Sequence, residues 1–445
     1  MLARNCALRF GNIIKEYLSN STLHGLKYIV EDGRHWTERL FWIFFCGLSW
    51  WGCIEMVSGV LNDFTDNSIA MTVETTYLDW QTKFPSFGMC FQMSSELKAY
   101  LIANKSFEYS RYAADLRKLF TYSALGYSHK SKLKILNKLS ATELMALNDK
   151  VRVNCTELLG VCRFNDIVFN CCDEFAGLQT TAGYCLMINS RQAKPAKGRS
   201  VDFNVNRTTG AGVLSVNLTK AMDTYRFSVD VKFYLLNDVQ IPSIVSNADK
   251  EVAGLVGHKN YYAITLQDVN NEDGVKHVPI SQRKCRFPFE NEDNFIYDLY
   301  SYDVCVTEQM QVERMLHLCG CVNHYFPRNP EMPVCNYTQL ECLFKERSSI
   351  INIAIGGNTR CYSDCEEPLI VSDGTGIPSK KLSWNGTTMT FRMLHVPTIR
   401  YRRYILRGIL DVLVEIGSAA GLFLGASILS VVEILYWLLL KPANP

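Results

Sequence analysis

The sequence predicts an α+β membrane protein in which two transmembrane helices flank a large, disulfide-rich extracellular domain with a β-sheet core and peripheral helices. Three observations carry this reading. Two long apolar runs, 40–61 and 408–440, stand near the two ends of a 445-residue chain. Fourteen of its 17 cysteines fall between them. Strand-like alternation and helix-like spacing both occur in that intervening stretch. The formal net charge of +2 leaves no nucleic-acid footprint. Mean hydropathy of −0.02 fits a mostly water-exposed protein with a few apolar insertions.

Residues 1–38 read as a short cytoplasmic segment, mixed and polar, with no early apolar region of the kind that starts a secretory signal. The apolar run 40–61 has Glu55 as its only charge. As a helix its 22 residues extend about 33 Å, one bilayer crossing. The span is set at 39–61. Trp42, Trp50 and Trp51 suit an interface or a packing face.

The loop 62–406 is expected outside the cell. Its cysteines are even in number and dense enough for a disulfide framework. Sequons at Asn104, Asn154, Asn206, Asn217, Asn336 and Asn385 concentrate in the same stretch. Asn20 heads a seventh sequon that stays silent if both termini are cytoplasmic. Lysines and arginines do not decide orientation, because long loops translocate largely regardless of charge.

Within the loop, 69–90 looks extended. Leucines and aromatics spaced by three and four over 94–150 suggest amphipathic helices, with Lys130, Lys132, Lys134 and Lys138 on a solvated face. The segment 225–235, YRFSVDVKFYL, alternates as a half-buried antiparallel strand. Tyr261–Val269 and Thr388–Tyr401 are weaker strand candidates. Between Cys305 and Cys365, two short helices stapled by disulfides are expected.

Enzymatic and metal chemistry find no support. Cys319 and Cys321, with His317 and His324, lack zinc-ligand spacing, and the oxidising compartment favours disulfides. No nucleophile elbow, phosphate loop or metalloprotease signature occurs. Asp298, Asp303, Glu366 and Glu367 read as solvated surface. No cofactor is expected.

The run 408–440 is too long for one simple crossing: as a single helix it would extend roughly 50 Å against a core of about 30 Å. One end projects, or the helix breaks inside the bilayer. Asp411, Glu415 and Glu433 lie in or beside it, and carboxylates at that depth face a bundle interior or a water path. Gly417, Gly421 and Gly425 recur every fourth residue and permit close helix approach. The residues leave two readings open, a pore lining or a single anchor with a small-residue dimer face. The second span is placed at 407–440, with a cytoplasmic tail over 441–445.

Taken together, these pieces resemble the degenerin/epithelial sodium channel family over nearly the whole chain. Gly425-Ala426-Ser427 followed six residues later by Glu433 is highly specific for it. Thr22-Leu23-His24-Gly25 resembles the family's cytoplasmic His-Gly gating motif. Phe84-Pro85 with Cys90, Gly183 to Asn189, and Cys305 through Cys319, Cys321 and Pro327 resemble its extracellular motifs. The doubled Cys171-Cys172 and the short tail look most like the insect pickpocket branch.

The resemblance implies a homo- or heterotrimer in the plasma membrane, with the second span of each subunit lining a sodium-preferring, amiloride-sensitive pore gated by an extracellular stimulus. It places the selectivity filter at Gly425, Ala426 and Ser427, acidic rings at Asp411 and Glu415 on the outer side, and Glu433 on the inner side. It assigns gating to His24, Gly25 and Val414, where the family usually carries Gly, Ala or Ser in place of the valine. A non-conducting accessory or receptor subunit is the alternative. The implied disulfides are Cys90–Cys185, Cys285–Cys365, Cys305–Cys361, Cys319–Cys342 and Cys321–Cys335. A further family pair is missing, because Gln309 and Thr359 replace its cysteines. Cys155, Cys162, Cys171 and Cys172 remain, and Cys155–Cys171 with Cys162–Cys172 is the favoured pairing.

Overall fold

A computed structural model describes residues 14–66, 68–75, 80–91, 97, 100, 140–225, 230–243, 250–291, 295–351, 361–373, 379–381 and 386–437. Asn104, Asn385, Thr359, the lysines at 130–138 and the tail 438–445 lie outside them. The chain divides into two units. One holds Met1–Met71, Glu272–Arg283 and Arg403–Pro445; the other holds Thr72–Asn271 and Lys284–Arg402.

The larger unit is α+β. Its principal strands in chain order are β1 (Ser86–Phe91), β2 (Leu159–Phe164), β3 (Ile167–Asn170), β4 (Ala176–Thr180), β5 (Gly183–Ile188), β6 (Val213–Leu218), β7 (Val231–Leu236), β8 (Glu251–Val252), β9 (His258–Asn271), β10 (Leu369–Asp373) and β11 (Thr387–Met393). One sheet runs β8-β7-β1-β5-β4. A nine-stranded sheet includes the row β9-β11-β6-β2-β3, with β10 antiparallel to β9. The β9–β11 pair is parallel within an otherwise antiparallel sheet.

Aromatic side chains from both sheets build the core between them. Phe87 of β1 lies 4.6 Å from Phe391 of β11, ring centre to ring centre, and Tyr262 of β9 stacks on Phe391 at 5.0 Å. Rings at this spacing add offset and edge attractions to their burial. A second cluster covers the other face of the first sheet, with Tyr234, Leu236 and Met187 around the Cys90–Cys185 bond. That cluster corrects the reading of 225–235. The described strand begins at Val231 and is buried on both faces, because its even-numbered side chains meet this second cluster instead of water. Lys232 is the exception and pairs with Glu251 at 2.7 Å. The candidate Thr388–Tyr401 is likewise not one strand: β11 ends at Met393, and pairing resumes only at Arg400. Pro397 between them has no amide hydrogen for a ladder.

All fourteen cysteines between the apolar runs are bonded. Two bonds correct the expectation: Cys155 pairs with Cys172, and Cys162 with Cys171. Burial explains the choice. Asn170 caps the turn Cys171–Glu174 through the Cys172 N–H at 3.2 Å, which aims Cys171 into the core beside equally buried Cys162. Cys172 stays half-exposed, as does Cys155. Electron-transfer fragmentation between Cys171 and Cys172 distinguishes the two pairings. A Cys155–Cys171 cross-link would overturn the assignment.

The helical lobe is stapled as expected. A helix Tyr302–Cys305 widens into a π turn Val306–Val312 and continues as Glu313–Cys319, ending at Gly320 with φ of +69°. Cys319–Cys342 ties it to helix Tyr337–Lys345, which Asn336 caps through the Gln339 N–H. Asp303, read from sequence as solvated, is only 1% exposed. Burial holds the neighbouring Asp364 carboxyl well above its ordinary value, and the charges of Asp303 and Glu367 push the same way.

Glu308 on the π turn is also buried, and its Oε1 accepts the Tyr297 N–H at 3.0 Å. Burial pushes its carboxyl up to about 7. A folded value above the unfolded one stabilises at low pH. The contribution is complete below the ordinary glutamate value of 4.5 and lost as pH rises through about 7. At about 1.4 kcal/mol per unit this is a few kcal/mol. Glu308→Gln is therefore expected to flatten the fall in thermal stability between pH 5 and pH 8 that Glu308 causes, relative to the parent chain. An unchanged slope would show that Glu308 does not titrate there.

The smaller unit contains the apolar helices. Trp36–Asp66 is one 31-residue helix, long and apolar enough to cross a membrane. The second apolar run forms two helices, Ile409–Leu424 and Ile428–Leu435, bent by 75° at a three-residue break. The excursion Glu272–Arg283 returns to this unit, where the Glu272 N–H donates to the Arg403 carbonyl at 2.9 Å.

Candidate functional site

The break in the second apolar run is where sequence-distant residues meet. Helix Ile409–Leu424 ends because Gly425 turns left-handed, with φ of +63°. The Gly425 N–H reaches back to Gly421 C=O at 3.0 Å and the Ala426 N–H to Ala420 C=O at 3.2 Å. This doubly bonded ending satisfies carbonyls that the helix leaves without partners. Two residues on, Ser427 starts the next helix: its hydroxyl accepts the Ser430 N–H at 3.3 Å, while Ser430 Oγ accepts the Ser427 N–H at 3.2 Å. Gly-Ala-Ser is thus a stop, a spacer and a start.

The N-terminal motif sits on this break. The His24 N–H donates to Leu424 C=O at 3.0 Å. A Cβ on Gly425 would overlap the His24 imidazole, so the close approach requires glycine. Gly25 is left-handed too, with φ of +84°, and a Cβ there would strike the Cys46 sulfur of the first apolar helix. Tyr28 stacks on Trp42 of that helix at 4.6 Å. The His-Gly turn is therefore held against both apolar helices.

Thr22 completes the contact. Its hydroxyl donates to Glu433 Oε2 at 2.8 Å and lies 3.0 Å from Ser430 Oγ. Ser430 is buried, and Glu433 is half-buried. This arrangement was not legible in sequence, since 411 positions separate Thr22 from Glu433. The one available signal was the Ser-x-x-Ser spacing of a helix start.

The other acidic positions lie at the opposite end of Ile409–Leu424. Asp411 Oδ2 accepts the Gly408 N–H at 2.8 Å, the role of a first-turn acid. Glu415 lies 3.5 Å from Arg407, whose same nitrogen is 3.2 Å from Asp63 near the end of the first apolar helix. Arg407 thus clips the two helices together, a role that reading lysines and arginines only for orientation missed. Val414 is 67% exposed in the single chain. Of the described sequons, Asn154, Asn217 and Asn336 are exposed and Asn206 is half-buried in a turn.

The span from this N-terminal motif to the short second half-helix is also what other proteins share. The family described as amiloride-sensitive sodium channel matches residues 17–437. Sodium channel protein Nach of Drosophila ananassae is 26% identical over 95% of this chain and 85% of its own length. Its Drosophila melanogaster counterpart is 26% identical over 95% and 86%. Pickpocket protein 28 of Drosophila melanogaster is 24% identical over 96% and 78%. With 421 contiguous residues matched, from Tyr17 beside the His-Gly turn to Trp437 past the broken helix, this chain belongs to the amiloride-sensitive sodium channel family.

Proposed function

We propose that the chain is a subunit of a trimeric, sodium-preferring, amiloride-sensitive cation channel of the plasma membrane, gated by an extracellular stimulus. Both termini are cytoplasmic, the spans are 39–61 and 407–440, and 62–406 is the extracellular domain carrying the N-glycans. The observation that carries this is the broken second apolar helix with the His24–Gly25 turn seated on the break. A break releases carbonyls from the helical ladder, and that is tolerated at membrane depth only where they line protein or water. Carbonyls lining water can replace part of an ion's hydration shell. Gly425, Ala426 and Ser427 form the filter in this reading. Asp411 and Glu415 draw cations to the outer mouth, and Glu433 acts on the inner side. The turn at His24 and Gly25 couples the cytoplasmic segment to the filter.

Voltage clamp of cells expressing the chain, alone and with related subunits, tests this. The expected current is carried by sodium, blocked by amiloride, and lost when a large organic cation replaces sodium. The rival reading is an accessory subunit without current of its own. Purified protein that inserts into planar bilayers yet never conducts would favour that reading.

Val414 supplies a second test. It is exposed in the single chain, so any crowding there comes from neighbouring subunits in the closed pore. Overpacking by the two methyl groups that valine adds to alanine costs ~1–3 kcal/mol. Confined to the closed state, that shifts a gate by roughly 5- to 150-fold. Val414→Gly is expected to lower resting amiloride-sensitive current by a factor in that range at matched surface density. Equal resting open probability would reject the crowding argument.

A further inference from the structure

The extracellular unit holds a cavity of about 470 Å³ bounded by helix Ala141–Val151, strand β4 and the loop after Cys321. That volume is within the usual range for small-molecule sites, about 300–1,000 Å³. Its frame is fixed by hydrogen bonds. The Tyr297 hydroxyl donates to Gln179 C=O at 2.7 Å, and the Gln179 amide donates to Tyr325 C=O at 2.9 Å.

The charges lining it do not balance. Arg152 is matched to Asp149 at 3.2 Å and stacks on Tyr184 at 4.4 Å. Arg328 has no such match. It is half-buried, its Nη2 rests 2.6 Å from the Met145 sulfur, and no carboxylate among the described residues forms an ion pair with it. Burial lowers its pKa, and the more distant Asp149 offsets this only in part. A thioether is a weak acceptor for a group with five fixed donors. His324 adds no charge, because burial and then Arg328 hold it down at about 4. Asn148 also lines the cavity at 8% exposure, and its side-chain amide has no hydrogen-bond partner among the described residues. Phe326, Pro327 and Leu178 supply apolar wall.

A half-buried guanidinium with no carboxylate partner among the described residues, an open amide donor and an apolar wall define one ligand chemistry. We propose that this cavity binds an organic carboxylate with an apolar body, the carboxylate on Arg328 and Asn148 and the body against Phe326 and Pro327. Arginine meets a carboxylate through paired donors, which favours it over a neutral polar group. The carboxylate belongs either to a free organic acid or to the C-terminus of a short apolar peptide. Nothing in this depends on whether the chain conducts.

The test is calorimetric titration of the purified full-length chain in nanodiscs, with empty nanodiscs subtracted. The probes are 4-phenylbutyrate and the dipeptide Phe-Leu, each beside its amide. At least one carboxylate is expected to bind about tenfold or more tighter than its amide, one decade being the least a charge-assisted pair contributes here. Which of the two binds identifies the source. Arg328→Gln is expected to remove that preference and Arg328→Lys to keep part of it. Should Arg328→Gln fail to fold, Asn148→Asp adds a negative charge to the same cavity lining and is expected to weaken the carboxylate at least tenfold while sparing the amide. Equal binding of acid and amide, no binding of either acid at millimolar concentration, or full binding by the folded variants would overturn the proposal.

Discussion

Replacing Gly425 by alanine is expected to cut sodium current at least tenfold while surface delivery and the seven disulfides are unchanged; valine is expected to remove the current. Two costs add at this position. A left-handed backbone costs an L-residue roughly 1–2 kcal/mol. The new Cβ would also overlap the His24 ring, so the ring or the helix end must move. Either shift breaks the His24 to Leu424 bond or straightens the 75° bend. Pairing Gly425→Ala with His24→Ala separates the costs. If the overlap dominates, the double variant loses far less than the two losses multiplied, since contacting residues couple strongly. Full current with sodium preference intact in Gly425→Val would mean that the break is not the filter.

Removing Cys90 and Cys185 together is expected to abolish cell-surface expression at 37 °C. The bond lies in register between β1 and β5 and is buried between them. It closes 95 residues. In the chain-entropy account that is worth about 4–5 kcal/mol, against about 2–3 kcal/mol for the 9-residue Cys162–Cys171 loop. Domain stabilities are of order 5–15 kcal/mol, so the longer staple is a large share. Surface biotinylation and protease resistance of both double variants check this. A Cys90/Cys185 variant that matures as well as the Cys162/Cys171 variant would refute the ranking.

What could be read from the sequence follows physical lines. Leu40–Leu61 was legible because a bilayer selects for length and apolarity, both visible one residue at a time; the helix itself runs on to Asp66. The break at Gly425 was legible because excess length and glycine both signal it. The 75° bend was not, since glycine and excess length mark a break without fixing its angle. The vicinal Cys171-Cys172 pair hid its own connectivity. Swapping partners moves each sulfur by one residue, and only burial beneath β2 decides between them. Asp303 looked like solvated surface because nothing local marks it as covered. Arg328 gave no signal at all, because the helix whose Met145 sulfur it meets lies 183 positions away in sequence.

The position of β11 has a consequence for biosynthesis. It is hydrogen-bonded between β6 and β9, yet it leaves the ribosome after both. Leu218 closes β6 and Thr387 opens β11, 169 positions later. At about 5–20 residues per second, the earlier strand waits roughly 8–34 s with an unfilled edge. Such edges recruit other chains, so a nascent polypeptide of this design needs chaperones for more than a third of its translation. A truncation between residues 272 and 386 leaves β6 and β9 flanking an empty slot, and quality control should intercept it however intact its first apolar helix.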